Sequence, residues 1–202
     1  MKSIIFPEVI EGHFLNNKKG FTSFPCVIWF TGISGSGKTS AAKDLSKKLS
    51  RLGIYSALLD GDSCRVGLSE DLGFSDSERS ENNRRLGEVA KLFYENNLLV
   101  IVSAITPFEY DRQKIRKKFP KGKFIEIFVD CPLTVCERRD KKGLYTKARN
   151  ATLEDFTGIT SEYQIPKNPE IKINTQSCDI DSNTFYILNN LKNKKIIPAS
   201  NI

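Results

Sequence analysis

Residues Gly32-Ile33-Ser34-Gly35-Ser36-Gly37-Lys38-Thr39 fit the spacing G-x-x-x-x-G-K-[ST] without a mismatch. That pattern is built for phosphate. The glycines let backbone N–H groups turn inward around a polyphosphate, and a following helix adds the positive end of its dipole. Lys38 is placed to reach the β- and γ-phosphates, and the Thr39 hydroxyl to take one position on Mg²⁺. Gly32, Ser34, Gly35, Ser36, Gly37, Lys38, Thr39 and Ser40 are therefore the candidate set for a nucleoside triphosphate, ATP. A second group of chemical residues lies further on. Asp60-Gly61-Asp62 offers carboxylates that can hold Mg²⁺ or accept the proton of an attacking hydroxyl. Arg65, Arg79, Arg84 and Arg85, with Asn82 one helical turn after Arg79, suit a bidentate grip on phosphate or sulfate.

These groups need a scaffold that points them at one another. The apolar run Cys26-Val27-Ile28-Trp29-Phe30 leads into the glycine-rich loop, and a helix pattern over 40–49 leaves it. That strand–loop–helix context turns a common pattern into a phosphate site. Strand patterns recur at 54–59, 98–104, 124–129 and 171–173. Helix patterns fall at 76–96, 111–118, from about 131 and at 185–191, the first opened by a Ser75-x-x-Glu78 capping box. Alternating strands and helices predict an α/β three-layer sandwich around a parallel sheet, with ligands at the carboxyl ends of the strands. Residues 138–169 mix charge, Gly143, Gly158, Pro166 and Pro169 with Tyr145, Phe156 and Tyr163. A long irregular segment of this kind predicts a lid. The expected organisation is an N-terminal extension over 1–24 and one P-loop domain over 25–202.

Composition narrows the partners. Apolar content of 39% with 27% charged residues describes a globular chain, and the longest apolar run, 98–102, is too short to cross a bilayer, so no membrane is expected. The net charge of +7 sits in Lys-rich stretches such as Arg116-Lys117-Lys118, without interleaved aromatics, so nucleic acid is not expected either. A kinase with two polyanionic substrates would profit from the same charge. Five scattered cysteines without a C-x-x-C pair give neither a disulfide framework nor a zinc site. The N-terminus lacks a secretory h-region and an Arg-rich transit pattern, so a cytoplasmic location is expected, with an organelle reached by an atypical signal as the alternative. The N-K-x-D motif of GTPases and the transporter signature are missing, which leaves a small-molecule kinase.

The segments around this core resemble one kinase family. Asp60-Gly61-Asp62-Ser63-Cys64-Arg65, Leu72-Gly73-Phe74-Ser75 and Arg79-Ser80-Glu81-Asn82-Asn83-Arg84-Arg85 are similar to successive motifs of adenylyl-sulfate kinases. So are Ile105-Thr106-Pro107-Phe108, Asp111-Arg112, Cys136-Glu137-Arg138-Arg139-Asp140, Lys142-Gly143-Leu144-Tyr145 and Phe156-Thr157-Gly158-Ile159. The resemblance covers roughly residues 26–192 and is to the stand-alone form. It implies phosphorylation of the ribose 3′-hydroxyl of adenosine 5′-phosphosulfate by ATP. It also implies roles. Asp62 activates the hydroxyl or holds Mg²⁺. Arg65, Arg79 and Asn82 hold the acceptor's phosphosulfate and sugar, and Phe74 and Phe156 sandwich its adenine. Ser63, Ile105, Thr106 and Lys142 are further acceptor positions, Arg138 is a lid arginine on ATP, and Cys178 packs the ATP adenine. A homodimer is implied as well, with Pro7–Phe24 as a candidate arm.

The chain departs from the family pattern at three places. Ser63-Cys64 stands where an Asn and an aliphatic residue are usual, and Lys141 replaces a usual proline. Thr106 stands where the family has a serine proposed to carry a phosphoryl intermediate. Threonine keeps the hydroxyl but is stiffer, and direct in-line transfer needs no such intermediate, so Thr106 is read as substrate-proximal. The alternative function keeps the kinase class with another small anionic or nucleotide acceptor; the set Phe74, Arg79, Asn82 and Phe156 argues against it.

Overall fold

A computed structural model describes residues 24–199. Of the expected extension over 1–24 only Phe24 is among them, and the candidate dimer arm lies outside the described residues. Five strands form the sheet: β1 (Cys26–Thr31), β2 (Ser56–Asp60), β3 (Leu99–Ser103), β4 (Phe124–Asp130) and β5 (Ile171–Asn174). All pairings are parallel, in the order β2-β3-β1-β4-β5. Around them lie α1 (Lys38–Arg51), α2 (Gly61–Cys64), α3 (Asp76–Glu95), α4 (Glu109–Arg116), α5 (Leu133–Arg138), α6 (Leu144–Arg149) and α7 (Ile180–Asn193).

The two-residue period of β1 splits the core into two layers. Cys26, Ile28 and Phe30 pack with Leu45 and Leu49 of α1 and Ile187, Leu188 and Leu191 of α7. Val27 and Trp29 pack on the opposite face with Leu86 and Ala90 of α3 and Ile115 of α4. Both faces are covered, so β1 and β3 are apolar up to their last residues, Thr31 and Ser103, and β4 is apolar apart from Glu126 and the terminal Asp130. Each fully buried Leu or Ile here contributes roughly 1.5–3 kcal/mol.

Local chemistry fixes where the elements start. At α3 the Ser75 hydroxyl accepts from Glu78 N, while the Glu78 carboxylate accepts from Ser75 N (3.2 Å) and from Gly73 N (2.8 Å). A Cβ on Gly73 would lie 2.7 Å from that carboxylate, which would have to swing aside and give up its place in the box. Helix α7 begins five residues before the expected 185. Its first turns are polar in sequence, yet Asp179 caps Ser182 N (2.7 Å), and Thr184 is buried against Asp44 and Lys48. The expected lid is irregular except for α6. Tyr145, Ala148 and Phe156 pack there with Cys131, Val135 and Cys136 into a small core of their own.

Candidate functional site

A cleft of about 880 Å³ opens where β1, β2 and β3 end. Its donor wall is the glycine-rich loop. Gly32 runs so close to β4 that a Cβ would meet the Val129 carbonyl and Ser36 Oγ at 2.8 Å. Gly37, at φ +98°, precedes α1 and leaves that helix without a side-chain cap, so its first N–H groups stay available to an anion. Two hydroxyls pin the loop from outside: Thr175 Oγ1 donates to Ser36 O and Tyr145 Oη to Ser34 O, each at 2.7 Å.

Lys38 is buried and donates to Ile33 O at 2.8 Å. Burial brings its ammonium down to about 8, with Asp62, Cys136 and Asp60 pulling the other way. Thr39 Oγ1 donates to Asp60 Oδ2 at 2.8 Å and lies 3.3 Å from Ser103 Oγ. Asp60 and Ser103 are register partners at the ends of β2 and β3. Hydroxyl and carboxylate oxygens are the hard donors Mg²⁺ takes, so Thr39, Asp60 and Asp62 fit the ion. Among the described residues no cluster of three or more His, Cys, Asp or Glu side chains could hold a metal. An all-protein cage is thus not found there, and Mg²⁺ bound by one or two protein oxygens plus substrate phosphates does not need one.

The opposite wall is cationic and aromatic. The Arg65 guanidinium stacks over Phe74 at 4.4 Å from the ring centroid and donates to Gly73 O at 2.6 Å. Phe74 is 52% exposed. Arg79 is buried and donates to Asp155 O at 2.7 Å, while its Nε and the Oδ1 of neighbouring Asn82 are buried without a partner. Orphaned polar atoms of this kind cost about 1–3 kcal/mol each, and a polar ligand in the cleft would relieve them. Burial lowers Arg79 from its ordinary value, as does Arg65 beside it. Asp62 stands between the walls, and Lys142 of the lid reaches to 3.7 Å from its carboxylate.

Thr106 lines the cleft with Ile105 but is committed elsewhere. Its hydroxyl accepts from Trp29 Nε1 at 2.8 Å and donates to Asn83 Oδ1 at 3.4 Å, and its backbone sits at φ +44°. Ser34, Gly35, Gly37, Lys38, Thr39, Ser40, Asp62, Arg65, Phe74, Arg79, Asn82 and Cys178 also line it. Gly32 and Ser36 lie buried beneath.

Several expected residues are placed differently: Lys142 stays beside Asp62 outside the cleft lining, Arg84 and Arg85 pair with Glu81 and Asp71 instead of facing the cleft, and Ser63, Arg138 and Phe156 also lie elsewhere. Ser63 turns back into α2, where its N–H and hydroxyl donate to Asp60 Oδ1, and it does not line the cleft. Arg138 is exposed; its neighbour Arg139 lines the cleft and donates to Thr175 O at 2.6 Å. Phe156 is buried edge-on against Tyr145, ring centroids 4.8 Å apart, and not in the cleft with Phe74. Asn83, Ser103, Arg139, Thr175 and Asn183 are cleft residues to which sequence reasoning gave no role, and Asp60 was read only as part of Asp60-Gly61-Asp62, without the contact to Thr39. Asp60 had a signal, being the first acid of Asp-Gly-Asp at a strand end; Asn183 had none.

A parallel sheet with a glycine-rich phosphate loop after β1, a threonine–carboxylate pair beside it and a cationic wall opposite defines a P-loop kinase of small molecules. A gluconokinase structure from Sinorhizobium meliloti shares that fold (TM-score 0.55, 20% identity, 85% of this chain and 94% of that one). The chain belongs to the adenylylsulphate kinase family, whose model matches residues 24–174. An adenylyl-sulfate kinase from Marinobacter nauticus is 48% identical over 176 residues, 87% of this chain and 88% of its own. The structure of Mycobacterium tuberculosis APS kinase in complex with AMPPNP and APS is similar at TM-score 0.79 and 46% identity, over 83% of this chain and 97% of that one.

Proposed function

We propose that this chain transfers the γ-phosphoryl group of ATP to the ribose 3′-hydroxyl of adenosine 5′-phosphosulfate, giving ADP and 3′-phosphoadenosine 5′-phosphosulfate. One observation carries the reading: a phosphate loop faces a wall of Arg65, Phe74, Arg79 and Asn82 across one cleft, with a carboxylate between them. In this reading the loop N–H groups and Lys38 hold the β- and γ-phosphates. Asp62 accepts the proton as the 3′-oxygen bonds to the γ-phosphorus and the bond to the β,γ-bridging oxygen breaks. Thr39, Asp60 and Asp62 would hold Mg²⁺, which supplies charge neutralisation on the phosphates. Arg65 and Arg79 take the phosphosulfate, where Arg79 Nε would gain an acceptor, and Asn82 Oδ1 would accept from a hydroxyl of the sugar.

Thr106 is a poor phosphoryl carrier, because its hydroxyl is tethered between Trp29 Nε1, from which it accepts, and Asn83 Oδ1, to which it donates, and no carboxylate among the described residues bonds it to take its proton. Direct in-line transfer is the simpler course. A homodimer, on the strength of the family resemblance, and a cytoplasmic location, expected from the composition of the N-terminus, complete the reading, and light scattering and cell fractionation test those two points. Incubation with ATP, Mg²⁺ and adenosine 5′-phosphosulfate, followed by mass identification of products, tests the reaction. Equimolar ADP and the 3′-phosphorylated product are expected; turnover with gluconate or a nucleoside monophosphate but none with adenosine 5′-phosphosulfate would overturn it.

A further inference from the structure

Arg112 of α4 is fully buried, yet none of the phosphate or acceptor chemistry above uses it. A buried guanidinium must spend its donors well or destabilise the fold. Here Nη1 donates to Thr106 O (2.8 Å) and Pro107 O (3.0 Å). Nη2 donates to Gln164 O (2.6 Å) and Glu109 Oε2 (2.7 Å). Nε lies 3.0 Å from Glu126 Oε1 on β4, an ion pair without hydrogen-bond alignment. Glu126 is held in turn by Arg116, which also pairs with Glu170. One side chain thus joins the central sheet, the cleft wall at Thr106–Pro107 and the far end of the lid at Gln164.

The wall needs such a brace. Thr106 is β-branched and sits at φ +44°, a strained conformation that persists only where the surroundings over-determine it. Its hydroxyl is fixed by Trp29 and Asn83, and its carbonyl by Arg112. The lid end is tied to the same place by backbone and side chain: Gln164 N donates to Pro107 O (2.9 Å), and Gln164 Oε1 accepts from Glu109 N (2.9 Å). Tyr163, next in line, shares a hydroxyl contact with Thr31 at 2.9 Å.

We propose that Arg112 is a positioning residue that clamps the acceptor wall to the lid, so that acceptor binding, and not ATP binding, depends on it. The proposal rests on the assignment of the Thr106 side of the cleft to adenosine 5′-phosphosulfate. Arg112→Lys keeps a cation beside Glu126 but cannot reach four carbonyl and carboxylate oxygens with a planar fork. In that variant KM for adenosine 5′-phosphosulfate should rise about tenfold or more, while affinity for a non-hydrolysable ATP analogue stays within about twofold. Amide exchange in residues 155–165 should quicken with α1 unchanged. Gln164→Ala, which removes the side-chain strap without touching the buried pair, should move the same readouts in the same direction by a smaller factor, and it carries the test if Arg112→Lys does not fold. A folded Arg112→Lys protein with acceptor KM, kcat and lid exchange all near wild type would overturn the clamp, as would an equal loss of ATP-analogue affinity. Should the wild-type chain leave adenosine 5′-phosphosulfate unphosphorylated, the proposed reaction fails, while lid exchange, which needs no substrate, still decides the clamp.

Discussion

Lys38→Met offers a quantitative check on the site, because the structure says the lysine is held against the protein's own stability. Its ammonium is buried against Ile33 O, and burial brings it from 10.5 to about 8. A base whose folded value is depressed weakens the fold while it is charged in both forms, below about pH 8. The penalty fades as pH rises from there toward the unfolded value. The drop corresponds to roughly 3 kcal/mol at neutral pH. About 2.5 kcal/mol of that is recovered between about pH 7 and pH 10, where the free lysine is largely neutral in the folded chain. Methionine has similar length and no charge, so the difference in unfolding free energy between Lys38→Met and wild type isolates this contribution; other titrating groups cancel. Urea unfolding of both proteins across that range is the assay. Relative to Lys38→Met, wild type should gain about 2–3 kcal/mol from low to high pH, whatever constant offset packing adds. Activity should be lost in Lys38→Met throughout. A pH-independent difference, or one that grows in the opposite direction, would refute the idea that this ammonium is desolvated and waiting for phosphate.

Other expectations follow from the same geometry. Gly32→Ala places a Cβ 2.8 Å from the Val129 carbonyl, a backbone group that cannot yield cheaply, so nucleotide affinity measured by calorimetry should fall steeply along with the melting temperature. Asp62→Ala should abolish turnover while an ATP analogue still binds; an active variant would remove the role given to that carboxylate. Asp60→Asn should raise the Mg²⁺ concentration needed for half-maximal rate more than Asp62→Asn does, because it is Asp60 that bonds Thr39. Phe156→Ala empties a packed position beside Tyr145 and should cost about 3–5 kcal/mol of unfolding free energy if the lid core unfolds with the domain. A loss below about 1 kcal/mol would show instead that the lid core is uncoupled from global stability.

Much of the fold could be read from residue order because physical rules at several levels agreed. Continuous apolar strands imply a sheet covered on both faces, and Ser75 with Glu78 announces a helix start that the hydrogen bonds reproduce. The phosphate loop was readable for a similar reason: its chemistry lives in backbone geometry that glycine spacing dictates. Direction was what the residues could not supply. Arg138 and Arg139 are adjacent at the end of α5 and both exposed, and only their angular position decides that Arg139 lines the cleft while Arg138 does not. Phe156 is as suited to stack on an adenine as on Tyr145, and packing within the lid decides for Tyr145 here. Asp60 and Asp62 are chemically equal; the register of β2 on β3, which sets Asp60 opposite Ser103, puts the first of them on Thr39.

The placement of those residues also explains why the lid bears on both halves of the cleft. From its first part, Tyr145 donates to Ser34 O of the phosphate loop. From its middle, the Asp155 carbonyl accepts from Arg79, and Asp155 holds φ +53° to present it. From its end, Tyr163 and Gln164 meet Thr31, Pro107 and Arg112. Each contact is a hydrogen bond worth only about 0.5–1.5 kcal/mol net, less than the conformational entropy of a segment of this length. The segment is therefore ordered by the sum of its attachments to two different walls together with its own small apolar core. For a kinase that must keep water from a γ-phosphate until the acceptor hydroxyl is in line, that division of the lid's anchors is the property the chemistry requires.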